Sequence, residues 1–101
     1  MENETLKNET TTQNIQLVKG KFTPEQASEV MMALLDQKIN YHKIEGIQLW
    51  EKNHKNDQEP IFKRIKELEA EKQNVTKFIS KMRAEGKEIQ IKGTLQMSSC
   101  D

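Results

Sequence analysis

The chain has a single cysteine, Cys100, which excludes a disulfide framework within it, and it has no CxxC motif. Nor does any apolar run approach the roughly eighteen residues a spanning helix needs, and the N-terminus is acidic and threonine-rich. A membrane segment and a secretory signal are therefore both unexpected. There is no glycine-rich phosphate loop, no HExxH and no nucleophile elbow. Aromatic residues make up 5% of the 101 positions, and net charge is absent, with 16 basic and 16 acidic side chains. These absences point to a soluble cytoplasmic protein that is not an enzyme, takes no cofactor and does not engage a membrane.

Hydrophobic residues account for 34% of the chain and charged residues for 32%, with a mean hydropathy of −0.89. A chain this short and polar cannot bury a large core alone, and self-association is the usual remedy. The neutral total hides an uneven distribution. Residues 23–52 carry five acids and three lysines, while 60–86 carry seven basic and four acidic side chains. Opposite signs on successive segments favour their lying side by side.

Residues 1–13 read as a disordered tail, because one large apolar side chain cannot offset the cost of ordering the backbone. Residues 14–22 read as a short strand on the bulk of Ile15, Leu17 and Val18, with Gly20 weakening its end or marking a bulge. A helix start follows. Thr23 suits the N-cap, Pro24 the first helical position, Glu25 the dipole, and Gln26 completes a capping box. The helix should run to about Glu51, with an apolar stripe through Ala27, Val30, Met31, Leu34, Leu35, Tyr41 and Leu49. A neighbouring strip carries Met32, Ile39, Ile47 and Trp50, so the apolar face is too wide for one partner helix. Gly46 reads as a kink or a close helix approach.

Residues 52–57 are polar and should form a turn, with Asp57 capping the next helix and Pro60 in its first turn. In that helix Ile61, Ile65, Leu68, Lys72, Val75, Ile79 and Met82 make an alternating four-three heptad seam. Gly86 suits a left-handed C-cap. Residues 88–97 alternate strictly, with Ile89, Ile91, Gly93, Leu95 and Met97 on one face. Residues 98–101 read as a flexible tail.

The fold class that follows is mainly α (α+β): an antiparallel two-helix hairpin flanked by two short strands, β-α-α-β, occupying residues 14–97. Two strands alone are marginal in water, and helix one has a spare apolar strip, so a homodimer is expected. The spare surface is assigned to Met32, Ile39, His42 and Trp50.

His42 and Glu45 lie one turn apart and could share a proton or a metal. Nothing else in the sequence completes a ligand set, so His42 reads as a seam histidine bonded to a neighbour. A turn centred near 54–56 sets Lys38 against Lys72, Leu35 against Val75, Glu45 against Ile65 and Leu49 against Ile61. The paired lysines would be a polar layer that fixes register. Lys63, Lys66, Lys77 and Lys81 form one line on helix two, a strip suited to an anionic partner such as a nucleic acid. Acids close to that strip make a solvated face the simpler reading.

Phe22-Thr23-Pro24-Glu25, Ala27, Leu34-Leu35 and Lys38-Ile39-Asn40-Tyr41-His42, with the lysine-rich alternating C-terminal strand, resemble a group of small bacterial proteins of unknown function. The resemblance spans about residues 15–97. It implies a self-contained bacterial domain, adds no reaction and no ligand, and draws attention to Tyr41 and His42. The expected function is a protein-interaction or scaffold module acting as a small homodimer. The alternative is a nucleic-acid-associated regulator using the basic strip.

Overall fold

The computed structural model describes residues 11–100. Strand β1 (Thr12–Phe22) leads to helix α1 (Pro24–Lys52), a short loop, helix α2 (Glu59–Ala84) and strand β2 (Ile89–Ser98). The chain is thus β-α-α-β, two helices with an antiparallel two-stranded sheet. It divides into two compact units, a helical hairpin over Phe22–Ile89 and a ribbon formed by the segments before and after it.

The helix ends follow the local chemistry. The Thr23 hydroxyl accepts from the Gln26 N–H at 3.1 Å, and the Gln26 side chain accepts from the Thr23 N–H at 3.0 Å. Both halves of the capping box are therefore formed, with Pro24 in the first turn, where its missing N–H costs nothing. α2 starts less tightly. Its cap position is Gln58, which makes no side-chain cap bond, while Asp57 accepts from the Glu59 N–H at 3.0 Å. At the far end Gly86 takes φ +67°, a left-handed conformation suited to glycine. Lys87 N–H then reaches the Met82 carbonyl at 3.0 Å and Gly86 N–H the Arg83 carbonyl at 3.1 Å. These two bonds close the helix as a Schellman motif.

On α2 the residues withdrawn from solvent are Ile61, Ile65, Leu68, Lys72, Val75, Ile79 and Met82, the whole heptad seam and nothing else. α1 answers with a matching heptad, Ser28, Met32, Leu35, Ile39, His42, Gly46 and Leu49, each buried or half-buried. Of the stripe expected from the sequence, Ala27, Val30, Met31, Leu35 and Leu49 are buried or half-buried, and two residues are not. Leu34 and Tyr41, assigned inward, are 39% and 56% exposed. The true seam was hidden because Ser28, His42 and Gly46 occupy places where apolar residues would advertise the period.

The buried apolar side chains among the described residues are Ala27, Ile39, Leu68, Ile79 and Ile89. At the end where α1 starts and α2 stops, Arg83 Nε donates to Glu25 Oε2 at 3.0 Å. Each charge sits at the helix end whose dipole it complements. The hydrogen bond from Arg83 holds the Glu25 carboxyl below the usual glutamate range.

In the ribbon, the Ser99 N–H donates to the Thr11 carbonyl at 3.1 Å, and Val18 lies across from Gly93. β1 starts at Thr12 and passes through Gly20 to Phe22, while β2 continues to Ser98. The strands therefore take in residues 12, 13 and 98, which the sequence assigned to tails, and residues 1–10 and Asp101 lie outside the described residues. The alternation of β2 holds in burial for Ile89, Ile91 and Gly93, but Leu95 and Met97 are exposed. A face is buried only where something covers it, and sequence alternation alone does not supply the cover.

Candidate functional site

The four residues assigned to an interaction surface do not share one. Ile39 is 6% exposed, and Met32 and His42 are half-buried with it in the seam that α1 presents to α2. Ile39 is therefore spent on the hairpin itself, which corrects its assignment to a spare face. Trp50 is exposed and lies against the His54 ring, with centroids 4.9 Å apart. The physical reason is the heptad of α1, which runs through Met32, Ile39 and His42 and leaves Trp50 one position beyond Leu49.

Register is set by Gly46, which is buried. A Cβ on it would lie 3.5 Å from Ile61 Cγ2 and 3.1 Å from Gln58 Oε1. The absent side chain lets α2 settle against α1 at this point. Gly46 is thus level with Ile61, and by seam spacing His42 with Ile65 and Leu35 with Lys72, nearly a turn away from the expected pairing. The loop folds back to match: Asn56 Nδ2 donates to the Leu49 carbonyl at 2.8 Å, capping the end of α1. The expected layer of two lysines does not form. Lys72 pairs with Asp36, and Lys38 is exposed with its ammonium 5.1 Å from the Tyr41 ring centroid.

Beside this close approach the loop-end half of the hairpin is left open. A groove of about 630 Å³ lies between the helices there. Gly46, Ile61 and Ile65 form its floor, and Ile47, Trp50 and Phe62 rise along its sides, 60%, 46% and 52% exposed. Lys43 and Glu51 stand on the α1 wall. Ile47 belongs to the neighbouring strip expected on α1, whereas Phe62 lies outside every pattern read from the sequence. Phe62 could have been found as a large apolar residue that falls outside an otherwise complete heptad.

Polar atoms in this groove are underused. His42 Nδ1 lies 3.0 Å from Glu45 Oε1. A carboxylate only accepts, so Nδ1 carries the proton, and in the neutral ring Nε2 is left as an acceptor. That nitrogen is buried without a partner among the described residues, and so is Gln58 Nε2. A buried polar atom left unpaired costs roughly 1–3 kcal/mol, so the groove carries a demand for hydrogen bonds that the chain does not meet. His42 and Glu45 are brought together as expected, yet no group of three His, Cys, Asp or Glu stands close enough to hold a metal among the described residues.

Lys63, Lys66, Lys77 and Lys81 are all exposed along α2. Their acidic neighbours are partly engaged, since Arg64 and Glu67 pair at 3.1 Å. A shallow hollow of about 510 Å³ beside Lys72 and Lys77 also takes in Glu69, so its charge is mixed. Cys100 is free and exposed. No helix among the described residues is long and apolar enough to cross a membrane.

No protein-family model, curated protein or solved structure matches the chain.

Proposed function

We propose that the chain is a non-enzymatic protein-interaction or scaffold module of the cytoplasm, acting as a small homodimer. The observation that carries this reading is the open groove at the loop end of the hairpin, with Ile47, Trp50 and Phe62 exposed along it. A cluster of large apolar side chains around a concave surface is the usual mark of a contact site, whereas isolated exposed leucines are ordinary. The thin core points the same way. Four buried apolar side chains, Ala27, Ile39, Leu68 and Ile79, are few for two long helices, and association supplies the burial that a small chain lacks.

Light scattering on a size-exclusion column tests the reading. A particle of twice the 11.8 kDa chain mass is expected, and a monomer at every concentration would overturn it.

A nucleic-acid-associated regulator is the second reading. It is supported by Lys63, Lys66, Lys77 and Lys81, which are exposed and make no ion pair among the described residues. It predicts retention of DNA or RNA at low ionic strength that falls steeply with salt. No retention at low salt would end it.

A further inference from the structure

We propose that α1 packs antiparallel against α1 of a second copy, about a two-fold axis at Ile47, with Lys43 of each copy set against Glu51 of the other. This rests on the homodimer reading and says where that dimer forms.

A two-fold interface uses the same patch on both copies, so the patch must complement itself. A helix lying antiparallel on its own copy meets its sequence reversed, and residues equidistant from the axis face each other. Four positions either side of Ile47 stand Lys43 and Glu51, and three positions either side stand Ile44 and Trp50. The reversal therefore sets base against acid and apolar against apolar, twice over. Ile47 itself, which would meet its own copy on the axis, is the most exposed large apolar side chain among the described residues, at 60%.

The other exposed apolar positions do not pass this test. Centring on Ile44 opposes Asn40 to Gln48 and Tyr41 to Ile47, with no charge matched three or four positions from the axis. On α2, centring on Phe62 opposes Gln58 to Lys66 and Glu59 to Ile65, and centring on Phe78 opposes Asn74 to Met82 and Val75 to Lys81. Lys43 and Glu51 are also available. Both are exposed, and neither makes an ion pair among the described residues. Antiparallel helices at the usual separation of roughly 8–10 Å bring such flanking side chains within reach of each other.

The same arrangement accounts for the groove. It brings Trp50 of the partner subunit level with Lys43 and Ile44, at the mouth of the groove whose floor holds the unpartnered His42 Nε2. An indole offers an apolar body and a single N–H donor, which is the chemistry this cavity lacks.

Charge reversal tests the proposal. Lys43→Glu and Glu51→Lys are made separately in the full chain, and each is measured alone and in equimolar mixture. Each variant alone turns two attractive pairs into repulsive ones and should self-associate about 10- to 100-fold more weakly than the parent. Mixing the two should restore a one-to-one dimer, because every facing pair is again of opposite sign. Emission from Trp50, the sole tryptophan, should shift to shorter wavelength as that dimer forms. The two side chains of the test, Lys43 and Glu51, are exposed, so the fold should survive, and an unchanged helical circular dichroism signal checks this. If the parent is a dimer and mixing changes nothing, this interface is wrong while the homodimer reading stands. If the parent is a monomer throughout, both fall.

Discussion

The two halves of the hairpin share one heptad seam and differ in how they close. Towards the start of α1, Ala27 and Ile79 are buried, and Arg83 ties the last turn of α2 to Glu25 in the first turn of α1. Towards the loop, the seam continues in perfect spacing through His42, Gly46 and Leu49, yet a groove remains and two polar atoms stay unpaired. Periodicity positions the helices in both halves. Side-chain volume then decides which half is finished by the chain itself and which is left for a partner.

Truncation should separate the halves most sharply. Ile79→Ala in the closed half removes a side chain that is 4% exposed and should cost about 2–5 kcal/mol in chemical denaturation. Ile61→Ala removes the same atoms from the floor of the groove and should cost well under half as much. Equal costs would erase the distinction. His42→Leu sharpens it from the other side. The substitution fills the seam and removes the unpaired Nε2, so the isolated hairpin should gain on the order of 1–2 kcal/mol. A loss would mean that the Glu45 bond matters more than the missing one. For Gly46→Ala the new methyl meets the far end of a flexible Gln58 and makes ordinary contact with Ile61. Helix propensity should then win, for a gain of up to about 1 kcal/mol.

The smallest effect lies in the closed half and is read by pH. Arg83 holds the Glu25 carboxyl below its usual range, so the pair stabilises the folded state above the ordinary glutamate pKa. That contribution is lost as the pH falls through the lowered value, where both states bind the proton. In Arg83→Ala the Glu25 carboxyl should titrate near its ordinary value by NMR. An unchanged titration would remove Arg83 as the cause.

Much of the closed half was legible in the sequence, because each position there carries one signal. Thr23 to Gln26 spell a capping box, the α2 seam is apolar except at Lys72, and Gly86 marks the helix end. The open half was harder to read. His42 and Gly46 interrupt the apolar pattern of α1, so the stripe through Leu34 and Tyr41 looked like the seam while Ile39 looked spare. Gly46 was legible as a close approach, but which residue came close depended on Ile61 across the hairpin. Phe62 was not legible because it lies beside a complete heptad, which gives it no place in the seam.

The proposed dimer rests on the exposed Ile47 and Trp50 of each copy. Its most direct test is the particle mass of the full chain across a dilution series, followed by sedimentation equilibrium for the parent and for Ile47→Asp. The parent should fit a monomer–dimer equilibrium, and Ile47→Asp, which sets two carboxylates together on the axis, should run as an 11.8 kDa monomer. A parent that stays at 11.8 kDa at every concentration would contradict it.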